Sequence, residues 1–189
     1  MEFRIGILIS GNGSNMVNII DACEEKRLNS RVVLVIADKL DAGGINKAVK
    51  RKINTVVLEK KKIGSKLKFE KEVLKNLKNF KINLLCLAGF MQILSEKFIK
   101  EWKHKILNIH PSLLPKYKGL NTHQKAIENK DKYSGCTVHF VNAKLDSGKI
   151  ILQKRVNIYK KDTPDSLGKR ILAQEHKLYP KAILKIFSL

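Results

Sequence analysis

The feature that most constrains the fold is the regular alternation of apolar segments with helical patterns through the first 110 residues. Short, mostly apolar runs, which are typical of buried strands, occupy residues 3–9, 31–37, 55–58, 82–88 and 106–110. Apolar residues at helical spacing separate these runs, at residues 17–23, 45–52, 66–77 and 96–102. Strands that alternate with helices need crossover connections, so this part of the chain predicts a parallel sheet.

The pattern changes after Pro111. Prolines and a glycine predict an irregular loop, and a short helix follows it at residues 122–128. Two further strands, at residues 135–141 and 149–156, are joined by a connection too short for a crossover helix, so we expect them to pair antiparallel. The last helix is predicted to begin at Pro164, with Thr163 as its N-cap, and to continue to Ile186.

These patterns predict an α/β fold. We expect a single domain over residues 1–189, because a chain of this length can bury one substantial core. It would be built on a twisted, mostly parallel sheet of about seven strands flanked by helices, with antiparallel late strands. The N-terminal half, about residues 1–103, is expected to be Rossmann-like, and the C-terminal half covers about residues 104–189.

The composition indicates a soluble protein of the cytoplasm. The longest apolar stretch, residues 84–91, is far too short to span a bilayer, and the N-terminus lacks the regions of a secretory signal. Cys23, Cys86 and Cys136 are odd in number and widely spaced. This spacing suggests neither a disulfide framework nor a zinc site, so we expect reduced thiols and no metal.

The charge of the chain is strongly positive. Lysine and arginine number 38 against 17 aspartates and glutamates, which gives a formal net charge of +21. An anionic partner such as nucleic acid is one interpretation. We favour solvated helix faces, because the excess is mostly lysine spread along the whole chain and only 6% of residues are aromatic. A phosphorylated small substrate would still gain from this field.

The first candidate site follows the first strand. Residues 11–15 read Gly-Asn-Gly-Ser-Asn and lead into a helical pattern. Small residues and free backbone donors at a helix N-terminus favour a phosphate group. Met16 stands where a dinucleotide fingerprint would need a third glycine, which argues against a nicotinamide enzyme. The segment alone is equally compatible with a simple turn capped by Ser14 or Asn15.

The second candidate site lies at the end of the fifth strand. Asn108 and His110 are two residues apart and therefore project from the same face, and Pro111 keeps His110 extended. An amide donor beside an imidazole can polarise a carbonyl while a proton is relayed, as acyl transfer to an amine requires. The alternative is that both are hydrogen-bonded structural groups.

A third candidate lies in the connection between the two late strands. Asp146 and Gly148 are common turn formers, and local sequence alone favours that role. A carboxylate is nevertheless what His110 would need to fix its tautomer and support an imidazolium. His139, on the preceding strand, is either a partner of this group or a packed histidine, and we favour packing.

Several segments together resemble a known family. They are residues 9–15 (ISGNGSN), 87–91 (LAGFM), 107–117 (LNIHPSLLPKY), 138–141 (VHFV), 145–148 (LDSG) and 174–176 (QEH). Along essentially its whole length the chain is similar to the folate-dependent glycinamide ribonucleotide formyltransferases of the purine pathway. The resemblance implies direct attack of the ribonucleotide amine on 10-formyltetrahydrofolate, without a metal.

The resemblance also implies roles for individual residues. It makes Asn108, His110 and Asp146 the catalytic residues. The substrate phosphate and ribonucleotide would contact Gly13, Ser14, Asn15 and Glu175. The folate would contact Lys66, Met91, Gln92, Ile93, Leu94 and Asn108. The N-terminal half would then bind the phosphate, and the C-terminal half would carry catalysis and folate binding.

Three positions depart from the family pattern. Gln92 stands where many members have Arg, Lys66 replaces an expected Arg, and Asn121 replaces a more usual His. Lys66 keeps its charge but loses the bidentate fork of an arginine. These changes bear on folate affinity and on the behaviour of the loop rather than on the reaction.

Other functions remain as alternatives. A methionyl-tRNA formyltransferase or a formyltetrahydrofolate hydrolase would share the catalytic residues, but each normally carries an additional domain that we do not expect here. A basic RNA-binding module would need stacking aromatic residues. We expect small-molecule partners, no specific nucleic acid, no membrane, and a monomer or weak homodimer.

Overall fold

The seven strands within the described residues belong to one sheet. The computed structural model describes residues 2–186. Its strands are β1 (Phe3–Ile9), β2 (Ser30–Ala37), β3 (Asn54–Val57), β4 (Leu84–Leu87), β5 (Lys105–His110), β6 (Tyr133–Phe140) and β7 (Ile150–Asn157). Their order in the sheet is β3-β2-β1-β4-β5-β6-β7. β1 lies parallel to β2 and β4, β2 lies parallel to β3, and β6 and β7 pair antiparallel.

The chain divides into two compact units. Unit 1 extends to Leu107, and unit 2 begins at Asn108, so the division falls inside β5. The number of domains remains a prediction. Among residues 2–186, no helix has both the length and the apolar character needed to cross a bilayer.

Unit 1 is built on the parallel strands. Ile7, Leu8 and Ile9 of β1 are completely buried, and every residue of β4 is buried. Parallel strands covered on both faces are apolar throughout, which explains why continuous apolar runs identified them in the sequence. The helices of this unit are α1 (Ser14–Glu24), α2 (Gly44–Lys50), α3 (Lys60–Ile63), α4 (Lys66–Asn79) and α5 (Glu96–Glu101).

Unit 2 contains the β6–β7 hairpin and the long terminal helix. Its helices are α6 (Thr122–Glu128) and α7 (Pro164–Ile186). α7 packs against both β6 and β7, and its Leu167, Ile171 and Tyr179 are completely buried. Thr163 caps α7 as predicted, because its Oγ1 accepts a hydrogen bond of 3.1 Å from the N–H of Ser166.

The predicted fold class is confirmed: the sheet is mostly parallel, its late strands are antiparallel, and helices flank it. The observed elements differ from the predicted ones mainly at their ends, as β4 does. One helix, α3, was not predicted. Its sequence is three lysines followed by Ile63, which presents no apolar periodicity.

Candidate active site

His110, the last residue of β5, and Asp146 form the centre of the candidate site. Their side chains are each only 7% exposed, and Nδ1 of His110 lies 3.4 Å from Oδ2 of Asp146. The other ring nitrogen of His110, Nε2, lies 2.8 Å from the backbone carbonyl oxygen of Tyr117. A carbonyl oxygen only accepts, so Nε2 carries a proton and Nδ1 is the nitrogen that faces the carboxylate.

Asp146 is held in place by the backbone around it. The N–H of Gly119 donates a 2.9 Å hydrogen bond to Oδ2 of Asp146. Asp146 itself has a φ of 45°, in the left-handed region that aspartate tolerates better than most residues. Nearby, a Cβ on Gly148 would fall 1.6 Å from the carbonyl oxygen of Phe140. Only glycine fits there, and the close approach of Gly148 to Phe140 helps to fix the path of the β6–β7 connection, which carries Asp146.

Asn108 and His139 form a second pair beside the first. Nδ2 of Asn108 lies 3.3 Å from Nε2 of His139, and Nδ1 of His139 lies 2.8 Å from the carbonyl oxygen of Phe140. That carbonyl accepts a hydrogen bond from Nδ1, so Nε2 of the neutral ring accepts a hydrogen bond from the Asn108 amide. Burial lowers the pKa of His139 and thereby favours this neutral form, although Phe140 and Asp146 act in the opposite direction.

His139 therefore does more than fill space. It is 2% exposed, as a packed histidine would be, but its Nε2 also lies 3.7 Å from Oδ1 of Asp146. The interpretation that favoured simple packing missed its contacts with Asn108 and Asp146. One ring thus adjoins two of the three predicted catalytic side chains and fixes the direction of the Asn108 amide.

The structure brings Asn108, His110 and Asp146 together within unit 2. An amide donor, an imidazole and a carboxylate in this arrangement can stabilise an oxyanion and move a proton. Among residues 2–186, no three His, Cys, Asp or Glu side chains group in a way that could hold a metal ion.

The predicted phosphate loop lies at the start of α1 in unit 1. Gly13 takes the N-cap position with a φ of 64°, and no side chain caps the helix within residues 2–186. The alternative of a turn capped by Ser14 or Asn15 is therefore wrong: these residues occupy the first helical positions. Lys47 supports the loop by donating a 2.8 Å hydrogen bond from Nζ to the carbonyl of Asn12.

The predicted folate residues of unit 1 lie on two segments. Met91 and Ile93 are 60% and 58% exposed, whereas Leu94 is buried. Lys66 is the first residue of α4 and is exposed. Exposed large apolar side chains on a segment without regular secondary structure offer a surface on which an aromatic ligand ring can pack.

The remaining predicted substrate residue, Glu175, lies on α7 in unit 2 and is only 7% exposed. The desolvation cost of burying a carboxylate must be offset by a hydrogen-bonding or charged partner. Its assignment to the substrate rests on the resemblance and remains a prediction.

The sequence gives no indication that two backbone groups belong to the site. The carbonyl of Tyr117 accepts from His110, and the N–H of Gly119 donates to Asp146. Every residue type supplies these groups, so only the path of the chain identifies them.

With this geometry established, the comparisons with known proteins define a class. Residues 3–183 match the family model described as formyl transferase, and the chain belongs to that family.

Its relatives narrow the class further. The phosphoribosylglycinamide formyltransferase of Escherichia coli (strain K12) is 42% identical over 180 residues, which cover 95% of this chain and 85% of that protein. The trifunctional purine biosynthetic protein adenosine-3 of Chironomus tentans is 42% identical over 98% of this chain, but the chain spans only 14% of its length. Among solved structures, glycinamide ribonucleotide transformylase 1 from Symbiobacterium toebii is 41% identical with a TM-score of 0.94, and the match covers 96% of this chain and 86% of that one.

Proposed function

We propose that this protein transfers the formyl group of 10-formyltetrahydrofolate to the amine of glycinamide ribonucleotide, giving formylglycinamide ribonucleotide and tetrahydrofolate in purine biosynthesis. The observation that carries the proposal is the arrangement of the half-buried Asn108 beside the buried side chains of His110 and Asp146. The name of the Escherichia coli relative, phosphoribosylglycinamide formyltransferase, supports glycinamide ribonucleotide as the acceptor.

In the first step the substrate amine attacks the formyl carbon, and the carbonyl oxygen takes up the electron pair. The second N–H of the Asn108 amide donates to that oxygen. Both ring nitrogens of His110 face protein oxygens, so the ring stabilises the oxyanion through its positive charge when both nitrogens hold a proton. Such groups act strongly because they are fixed before the reaction begins. His139 fixes the amide of Asn108, and Tyr117 fixes the ring of His110.

In the second step the amine nitrogen loses a proton, N10 of the folate gains one, and the bond between N10 and the formyl carbon breaks. Nδ1 of His110 and the carboxylate of Asp146 lie 3.4 Å apart and would relay the proton. No covalent enzyme intermediate and no metal are required. Orientation of the two reactants supplies much of the rate, roughly 7 to 11 kcal/mol at the upper end.

Binding is divided among the predicted residues. Gly13, Ser14 and Asn15 hold the phosphate at the N-terminus of α1, where the backbone N–H groups and the helix dipole favour an anion. Glu175 contacts the ribonucleotide. Lys66, residues 91–94 and Asn108 bind the folate. The protein acts in the cytoplasm as a monomer or weak homodimer, without specific nucleic-acid binding.

A spectrophotometric assay of the purified protein tests this function. The protein is incubated with 10-formyltetrahydrofolate and one of three acceptors: glycinamide ribonucleotide, water or methionyl-tRNA. Release of tetrahydrofolate only with the ribonucleotide is expected. Release with water alone would instead indicate a hydrolase, and release only with the tRNA would indicate a tRNA formyltransferase.

A further inference from the structure

Residues 89–95, which lead from β4 to α5, form an irregular segment that other parts of unit 1 hold at both ends. At the first end, the N–H of Ser10 donates to the carbonyl of Gly89 over 3.1 Å, and the N–H of Met91 donates to Oγ of Ser10 over 2.8 Å. At the other end, the N–H of Ser95 donates to Glu70 over 2.7 Å. The exposed Met91 and Ile93 therefore stand on a fixed backbone.

Gln92 holds the middle of the same segment. Nζ of Lys60 donates to Oε1 of Gln92 over 2.6 Å, and Nε2 of Gln92 donates to Oδ2 of Asp38 over 2.9 Å. A lysine ammonium can only donate, and a carboxylate can only accept. The amide of Gln92 therefore has a single favourable orientation, and its oxygen and nitrogen are both engaged within the chain.

The burial of Asp38 is not explained by stability. Asp38 directly follows β2 and is only 4% exposed. Its second oxygen, Oδ1, is buried and has no hydrogen-bond donor among residues 2–186. A buried acceptor without a donor is unfavourable, so an apolar residue would serve the fold better at this position. An acceptor oxygen here is accounted for by the hydrogen bond that it accepts from Gln92.

We propose that Gln92 is a positioning residue for the folate. Held between Lys60 and Asp38, it sets the backbone of residues 91–94, and the folate contacts that backbone and its exposed apolar side chains rather than the Gln92 amide. This inference rests on the proposed function, because it assumes that the segment binds a reduced folate. It assigns to Asp38 and Lys60 a part in folate affinity that their sequence positions do not suggest.

Exchange of polarity tests the proposal. Gln92→Glu replaces the donor that faces Asp38 with a second carboxylate, and the repulsion should displace the segment. In the double variant with Gln92→Glu and Asp38→Asn, the amide introduced at position 38 can donate to the carboxylate introduced at position 92. The hydrogen bond between the two positions is then restored in the opposite direction. Asp38→Asn alone keeps an acceptor for Gln92. Gln124→Glu is the matched control, because Gln124 also donates to a carboxylate, that of Glu128, on an exposed helical face.

Two binding quantities are measured for each variant: the Kd for tetrahydrofolate by anaerobic titration calorimetry, and the KM for glycinamide ribonucleotide. We expect Gln92→Glu to raise the Kd about tenfold while the KM changes less than about twofold. The double variant should return to within about threefold of the wild-type Kd, and Asp38→Asn and Gln124→Glu should stay within that range. Circular dichroism establishes that each variant is folded.

An unchanged Kd in Gln92→Glu, or a double variant that binds as weakly as the single one, overturns the positioning role. If Gln92→Glu does not fold, Gln92→Ala takes its place, with an expected rise of about fivefold in Kd and with wild-type affinity overturning the proposal. A wild-type protein that does not bind tetrahydrofolate overturns the proposed function itself, which separates the two failures.

Discussion

Oδ2 of Asp146 lies 3.4 Å from Nδ1 of His110, although one residue belongs to the β6–β7 connection and the other ends β5. The same oxygen accepts the N–H of Gly119, so the carboxylate is oriented before any substrate arrives. Asp146, a residue type common in turns, is thereby placed as a partner for the His110 imidazole. Predictions about the site follow from it and from the groups that support it.

Removal of either side chain that stabilises the developing oxyanion should abolish most of the activity. Asn108→Ala or His110→Ala is expected to lower kcat by about two to three orders of magnitude, because groups fixed for the transition state contribute that much. Steady-state kinetics measure the effect. His104→Ala, which alters an exposed histidine, is the control. Near-native turnover in both site variants would contradict the assignment.

The position of Gly148 should tolerate no side chain. A Cβ there would meet the Phe140 carbonyl oxygen at 1.6 Å, so Gly148→Ala must displace the backbone that carries Asp146. We expect the free energy of unfolding to fall by about 3 kcal/mol, since overpacking of backbone is costly. Urea denaturation measures it. Gly11→Ala, whose added Cβ meets nothing within 4 Å, should change it by less than about 0.5 kcal/mol.

The left-handed conformation of Gly13 should matter for the ribonucleotide. Gly13→Ala strains a φ of 64° and brings a Cβ to 3.0 Å from Cα of Gly44, so the N-terminus of α1 or the backbone of Gly44 must shift. The KM for glycinamide ribonucleotide is expected to rise about tenfold, a factor that corresponds to about 1.4 kcal/mol. The KM for the folate should change less than about twofold.

Gly64→Ala is the matched control for Gly13→Ala. Gly64 also has a left-handed φ, of 84°, but its added Cβ meets nothing within 4 Å. Both variants carry the same kind of backbone strain. An equal rise in the ribonucleotide KM in the two variants would show that strain alone, not the phosphate loop, accounts for the effect.

The stability of the protein should fall on acidification partly through His139. Burial lowers the pKa of this histidine in the folded state, so below the ordinary pKa of about 6.5 the unfolded chain binds a proton that the folded chain does not. Its stabilising contribution is therefore complete above about pH 6.5 and is lost as the pH falls toward the lowered value.

Thermal unfolding between pH 7.5 and 5 measures this contribution. His139→Gln should reduce the slope of stability against pH, by at most about 1.4 kcal/mol per pH unit for one group. His104→Gln, at an exposed position, serves as the comparison. If both variants show the same slope as the wild type, the proton uptake resides elsewhere. Burial also lowers the pKa of His123 and His176, so part of the wild-type slope should persist in His139→Gln.

Much of the fold could be predicted from the sequence because strands in the middle of the sheet, such as β1 and β4, are largely buried on both faces. Continuous apolar runs such as β1 and β4 carry that signal directly. The lysine-rich α3 carried no such signal, since its residues contribute no apolar face. Short helices of this kind are defined by their neighbours rather than by their own pattern.

The candidate site likewise has residues that the sequence indicates and residues that it does not. Asn108 and His110 are recognisable because their types and their spacing on a strand suggest chemistry. Asp146 was a candidate as the carboxylate that His110 needs, and the resemblance placed it among the catalytic residues. The role of His139 could not be predicted, because the sequence pattern of a buried histidine on a strand is the same whether the ring only fills space or also orients an amide. The backbone groups of Tyr117 and Gly119 are invisible in any sequence.

The hydrogen bond from His110 to the Tyr117 carbonyl has a consequence for inhibitor design. It makes the orientation of the imidazole depend on the conformation of residues 111–119. A compound that binds under this loop and draws the carbonyl away would release the ring to rotate. Such a compound would inactivate the protein without imitating either substrate, so its selectivity would depend on the sequence of the loop rather than on the folate site.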